Sequence, residues 1–187
     1  MAFTQNMKNK TIEYHNKLVR LDQNIASGIV DDRFKGSPYE REAIAKAKAE
    51  RQSVADAGVQ EINQLVRAFH DELIERYTPH GADMTDDAKI FAAGIDLTDV
   101  EIMEYVRRYQ GNLTMLRIIA DYAKKHNPDI SEDQEIKFFI SKDAKDAAAD
   151  TLANYCRQAL NDEIYFNTVI MSPDGFQKIC GEALADE

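Results

Sequence analysis

Ser37-Pro38-Tyr39-Glu40 opens a stretch that Tyr77-Thr78-Pro79-His80-Gly81 closes, and no proline interrupts the residues between. Ser37 suits an N-cap, Pro38 suits the first helical position with its fixed φ, and Glu40 completes the spacing of a capping box. At the far end, Pro79 disfavours helical geometry at Thr78 and removes a backbone donor, and Gly81 adds a flexible point. The stretch therefore predicts one helix from Ser37 to Tyr77, of about forty residues and about 60 Å. Its two halves differ in chemistry. Ala43, Ala45, Ala47, Ala49, Ala55 and Ala57 dominate the first half beside Ile44 and Val54, and small side chains bury little area. From Val59 the face is large and apolar, through Ile62, Leu65, Val66, Phe69, Leu73, Ile74 and Tyr77. Gly58 falls at the junction, where a close contact explains a residue that costs about 1 kcal/mol against alanine inside a helix.

Upstream, a first helix is predicted from Thr4 to about Ser27. Its stripe of Met7, Thr11, Tyr14, Leu18, Leu21, Ile25 and Ile29 steps by three and four, a heptad seam interrupted only by Thr11. Gly28 ends it and a short connection to Gly36 turns the second helix back, so the pair should form an antiparallel, coiled-coil-like hairpin. Counting at 1.5 Å per residue from the connection, the first helix should cover the second to about residue 62. An all-α fold follows, with residues 4–58 as a hairpin arm and residues 59–187 as a small multi-helix domain that shares the distal half of the long helix. The expected core includes Ile62, Val66, Phe69, Leu73, Leu116 and Ile119. Met7, Tyr14, Leu18, Leu21, Ile25, Ile44 and Val54 are the expected association surface, because the seam is longer than any partner surface evident within the chain.

Further along, Thr85 is placed to cap a short helix reaching Phe91–Ala93, and Thr98 with Glu101 forms a second capping box. That box opens a helix through Tyr109. Gly111 stops it, and Asn112 caps a largely buried helix from Leu113 to His126. Ser131 with Gln134 reads as a third box, opening a helix towards Leu160 with a break near residues 141–143. The β-leaning run from Ile164 to Met171 has no partner strand and reads as helix or buried connection. Ser172-Pro173 repeats the start signal of Ser37-Pro38 for a last short helix bearing Phe176, Ile179, Cys180 and Leu184.

The formal charge of −10 lies wholly in the second part of the chain. Residues 1–78 hold 12 Lys and Arg against 12 Asp and Glu; residues 79–187 hold 11 against 21. Such an acidic surface disfavours nucleic acid and anionic lipid and suits solubility or a basic protein partner. The partner expected from the seam is a protein, the same chain or another assembly protein. A homo-oligomer is expected. Cys156 and Cys180 stand far apart without further ligand spacing and read as buried thiols. The N-terminus turns polar at once and no long apolar run occurs, so no leader and no membrane span are expected and the cytoplasm is the expected location.

Chemistry is sparse. His15, His70, His80 and His126 are scattered outside any ligand spacing, and each reads as a partly exposed structural residue. No Glu-x-x-His pair, no H-E-x-x-H and no glycine-rich phosphate loop occurs. No catalytic, cofactor or metal residue is assigned, and no enzymatic activity is expected. Two rival readings are specific enough to test. One is a metal-binding bundle or enzyme using Asp83, Asp86, Asp87, Asp96 and Asp99 with His70 or His80. The other is a DNA-reading helix-turn-helix over residues 98–126, with Arg107, Arg108, Arg117, Lys124 and Lys125 as its basic residues.

The phrase from Tyr109-Gln110-Gly111-Asn112-Leu113-Thr114-Met115-Leu116-Arg117 to Ile118-Ile119-Ala120-Asp121-Tyr122 resembles stretches in small helical proteins of tailed phages and prophages. The resemblance carries no functional motif, so it implies no site residue. It implies an origin, with a place in the virus particle as the alternative to the cytoplasm. A long acidic helical hairpin is also similar in kind to phage scaffolding and head-assembly proteins, which implies a structural or head-assembly role.

Overall fold

The computed structural model describes residues 2–28, 31–131 and 142–184. Every regular element among them is helical: α1 (Ala2–Ala26), α2 (Pro38–Tyr77), α3 (Ala88–Ala92), α4 (Asp99–Arg108), α5 (Leu113–His126), α6 (Pro128–Ser131), α7 (Lys142–Asn161), α8 (Glu163–Tyr165), a π-helix (Phe166–Met171) and α9 (Pro173–Cys180). Short 3₁₀ turns lie at Asp32–Phe34, Gly81–Asp83 and Glu182–Leu184. No described helix is long and apolar enough to cross a membrane. The chain divides by its contacts into unit 1 (Met1–Phe69 with Ala147–Glu187) and unit 2 (His70–Asp146). That division falls at other places than the expected boundary at residue 58, and it puts the hairpin and the C-terminal helices in one unit.

In unit 1, α1 and α2 run antiparallel. The rings of Phe3 and Phe69 stack at 4.1 Å, Lys10 Nζ lies 3.7 Å from Glu61 Oε2, and Arg51 Nε donates to Asp22 Oδ1 at 2.6 Å. Between these pairs, Tyr14 lies against Gly58, where an added Cβ would come within 3.0 Å of Tyr14 Cγ and 3.1 Å of Leu160 Cδ1. Gly58 is thus a site of close approach, and α2 continues through it. Each step forward on α1 meets a step back on α2, and cover reaches Phe69 rather than residue 62. The reason is the register: Asp22 stands opposite Arg51, so α1 ends beside the middle forties and the first turns of α2 extend past it.

A third layer comes from the C-terminal part of the chain. The face of α7 in unit 1 buries Ala149, Leu152, Ala153, Cys156, Ala159 and Leu160, mostly small residues that allow near approach. Arg157 Nη1 donates to Asn63 Oδ1 at 2.5 Å, and the Lys8 ammonium sits 4.9 Å above the Phe176 ring. Phe166 and Ile170 of the π-helix are buried as well. Gly175 permits α9 to lie on this π-helix, because a Cβ there would run into the Thr168 carbonyl oxygen. Ser172 Oγ accepts from Gly175 N–H at 3.2 Å and caps α9, with Pro173 in its first turn as read from the sequence.

Unit 2 is built on α5, which packs against α3 and α4. Its core joins Ala88 and Phe91 with Ile102, Val106, Met115, Leu116, Ile119, Tyr122 and Ala123. The Phe91 ring meets Tyr105 and Tyr122 edge-on at 5.0 and 5.5 Å. The Thr98 capping box is closed in both directions, and Asn112 Oδ1 accepts from Met115 N–H at 3.0 Å to cap α5. Thr85 does not cap α3: its hydroxyl pairs with Tyr109 Oη at 2.8 Å, and α3 begins three residues later. Pro128 starts α6 before Ser131, and the expected box at Ser131–Gln134 and the break near residue 141 run into residues outside the described ones.

The N-terminus of α2 also differs in detail. Ser37 Oγ accepts from Glu40 N–H at 3.2 Å, but Glu40 Oε2 accepts from Gly36 N–H at 2.5 Å instead of from Ser37. The Ser37 N–H is already taken by the Phe34 carbonyl at 3.0 Å, so the carboxylate answers the orphan donor one residue earlier.

Candidate functional site

The association surface expected from the seam splits in two. Met7 and Leu18 are fully enclosed in unit 1, at 0% and 1% exposure, and Tyr14 packs on Gly58. Met7 and Leu18 belong to the core, and Tyr14 is half-buried. Leu21, Ile25, Ile44 and Val54 are only half-buried, and among the described residues from Val19 to Val54 none is buried. At the turn between the helices Phe34 and Tyr39 are exposed, 46% and 62%, with ring centroids 5.7 Å apart. The expected core residues Ile62, Val66, Phe69, Leu73, Leu116 and Ile119 are all buried.

The third layer stops where α7 ends at Asn161, and a cleft of about 440 Å³ opens there in unit 1. His15, Leu18 and Val19 of α1, Arg51 of α2, and Asn161 and Glu163 after α7 line it. His15 is 5% exposed, which departs from the partly exposed histidine expected of it. Its ring stacks on Phe166 at 3.7 Å, and its Nδ1 lies 2.9 Å from the Ala159 carbonyl oxygen and 3.3 Å from that of Leu160. A carbonyl only accepts, so Nδ1 carries a hydrogen and answers carbonyls left over at the end of α7. Arg51 spans the cleft, donating to Asp22 and, through Nη1 at 3.2 Å, to Asn161 Oδ1. The Asp22 carboxylate holds the guanidinium pKa above its usual value, since the charged hydrogen bond favours the cation.

The sequence contained a signal for His15 that the heptad reading passed over. Phe3, Met7, Thr11 and His15 rise by fours and are all buried, whereas the seam ran through Tyr14. Thr11 fits the ridge because its hydroxyl donates to the Met7 carbonyl at 2.8 Å and needs no other partner.

In unit 2 three of the carboxylates of residues 83–99 have separate partners. Asp86 pairs with Lys89, and Asp87 accepts from Tyr109 Oη at 2.7 Å and Arg108 Nη1 at 3.2 Å. Asp99 accepts from Asn127 at 2.9 Å. No group of three or more metal-ligating side chains exists among the described residues. His70 Nε2 stands 3.8 Å from Asp146 Oδ1, apart from that set. The α4–α5 pair turns the face of its second helix inward through Leu116, Ile119, Tyr122 and Ala123. A second cleft of about 430 Å³ lies between α3 and α5, lined by Met84, Phe91, Ile118, Tyr122 and His126 among others.

Both cysteines are buried. Loss of water pushes the Cys156 thiol up to about 11, and burial raises Cys180 in the same direction, so both are weak nucleophiles near neutral pH. No protein-family model matches the chain, and neither a curated protein nor a solved structure gives a significant match.

Proposed function

We propose that the protein is a non-enzymatic assembly protein that associates with a second copy of itself through the outer half of the α1–α2 hairpin. The observation that carries this reading is the run from Val19 to Val54, where apolar side chains at helical spacing lack the third layer that buries the inner half. Charge favours the same surface. The excess of acid lies in residues 79–187, which repel another copy, whereas residues 1–78 are balanced and permit contact. An isologous pair of hairpin ends would bury Leu21, Ile25 and Ile44 and surround Phe34 and Tyr39, aromatic residues of the kind that anchor interfaces. The resemblance of residues 109–122 to tailed-phage proteins fits such a role within a virus particle, and the neighbouring genes would test that origin.

Size-exclusion chromatography with light scattering decides the central claim. The expected result is a dimer or larger species that Phe34→Glu with Tyr39→Glu reduces to a monomer without loss of helicity. A wild-type monomer at high protein concentration would overturn it.

A further inference from the structure

The cleft at the end of α7 has an unused chemistry. His15 Nδ1 is committed as a donor to the Ala159 carbonyl, so a neutral ring keeps its single lone pair on Nε2 as an acceptor. Stacking on Phe166 and burial fix the ring plane. Glu163 lines the same cleft, and no ion pair among the described residues engages it. The remaining charges cancel, because Arg51 is bound to Asp22. Leu18, Val19 and Leu160 supply apolar wall. The balance is one uncompensated negative charge and one fixed acceptor beside apolar surface, in a volume that suits a small molecule.

We infer that this cleft binds a small organic cation, an amine with an apolar body, whose N–H group donates to His15 Nε2 and to the Glu163 carboxylate. The apolar body lies along Val19. A carboxylate ligand is disfavoured, since it would meet Glu163 and a lone pair, and a neutral alcohol forgoes the charge. Val19 and Arg51 belong both to the cleft and to the run proposed for self-association, so the light-scattering mass of each variant is read beside its binding.

Three probes that share one ring separate these cases: benzylamine, benzyl alcohol and benzoate. In NMR titrations of the full chain, benzylamine is expected to shift the His15 imidazole resonances saturably, with a dissociation constant on the order of 1 mM, as suits a fragment of its size. Glu163→Gln should weaken binding about tenfold, corresponding to one lost charge-assisted hydrogen bond. Val19→Trp should fill the cleft and abolish binding. Glu104→Gln, an exposed carboxylate of unit 2, should change nothing and so controls for general attraction of cations to an acidic protein. Equal binding of benzoate or benzyl alcohol, or benzylamine binding that is indifferent to both cleft variants, would overturn the inference. Glu163 and Val19 are not buried, so these variants test the site without removing core packing.

Discussion

The inner and outer halves of one hairpin are made by the same two helices and held by different forces. Inside, Phe3, Met7, Thr11, His15 and Leu18 of α1 and Ala55, Gly58, Ile62, Val66 and Phe69 of α2 are all buried. Outside, from Val19 to Val54, no described residue is buried. The alanines of residues 43–57 account for part of the contrast, because a methyl group has little surface to remove from water. The rest is the third layer: α7, the π-helix and α9 cover the inner half, and α7 ends at Asn161, level with Arg51. Helical propensity is shared by both halves, but packing belongs mainly to one.

The sharpest way to break this comparison is to cut the same side chain on each side of the boundary. Leu18→Ala should cost about 3 kcal/mol in urea unfolding, and Leu21→Ala, three residues away, about 1 kcal/mol or less. Similar values for both would show that the halves are equally packed. The pH profile gives a second measure of the inner half. The folded Cys156 thiol, near 11, lies above its unfolded value of 9.0. Its contribution is therefore fully present below pH 9 and is lost as pH rises from about 9 to about 11, at most about 2–3 kcal/mol. Cys156→Ala should flatten that stretch, and an unchanged profile would refute the assignment.

Smaller effects sharpen the picture of the third layer. Gly175→Ala places a methyl group against the Thr168 backbone carbonyl, which has no rotamer to escape into. A loss of about 2 kcal/mol is expected, read by thermal unfolding, with the α9 signals most perturbed. Gly58→Ala gains about 1 kcal/mol of helix propensity but presses on Tyr14 Cγ, the root of a ring, and on Leu160. The net result should be destabilisation by about 1 kcal/mol, whereas a gain in stability would mean the contact yields freely.

Local signals were well written in the chain. The helix from Leu113 to His126, the Thr98–Glu101 box, the Ser172-Pro173 start and both ends of α2 rest on caps and breakers whose hydrogen bonds close within three or four residues. Such features need no distant partner. The site was poorly legible. His15 matters because Ala159 and Phe166 reach it from some 145 residues away, and no motif links them. Thr85 had the right residue type for a cap, but Tyr109 offered its hydroxyl a better partner.

The sequence by itself determined an all-helical chain, the length of α2, the apolar face from Val59 onward, the uneven charge and the close approach at Gly58, all properties of residue type and spacing. Tertiary structure decided which stretch of the α1 ridge is enclosed, where the third layer stops, and that His15 rather than Tyr14 lies on the enclosed ridge. The physical reason is that burial depends on which remote elements arrive at a face, and the α1 stripe looks much the same whether α7 covers it or water does.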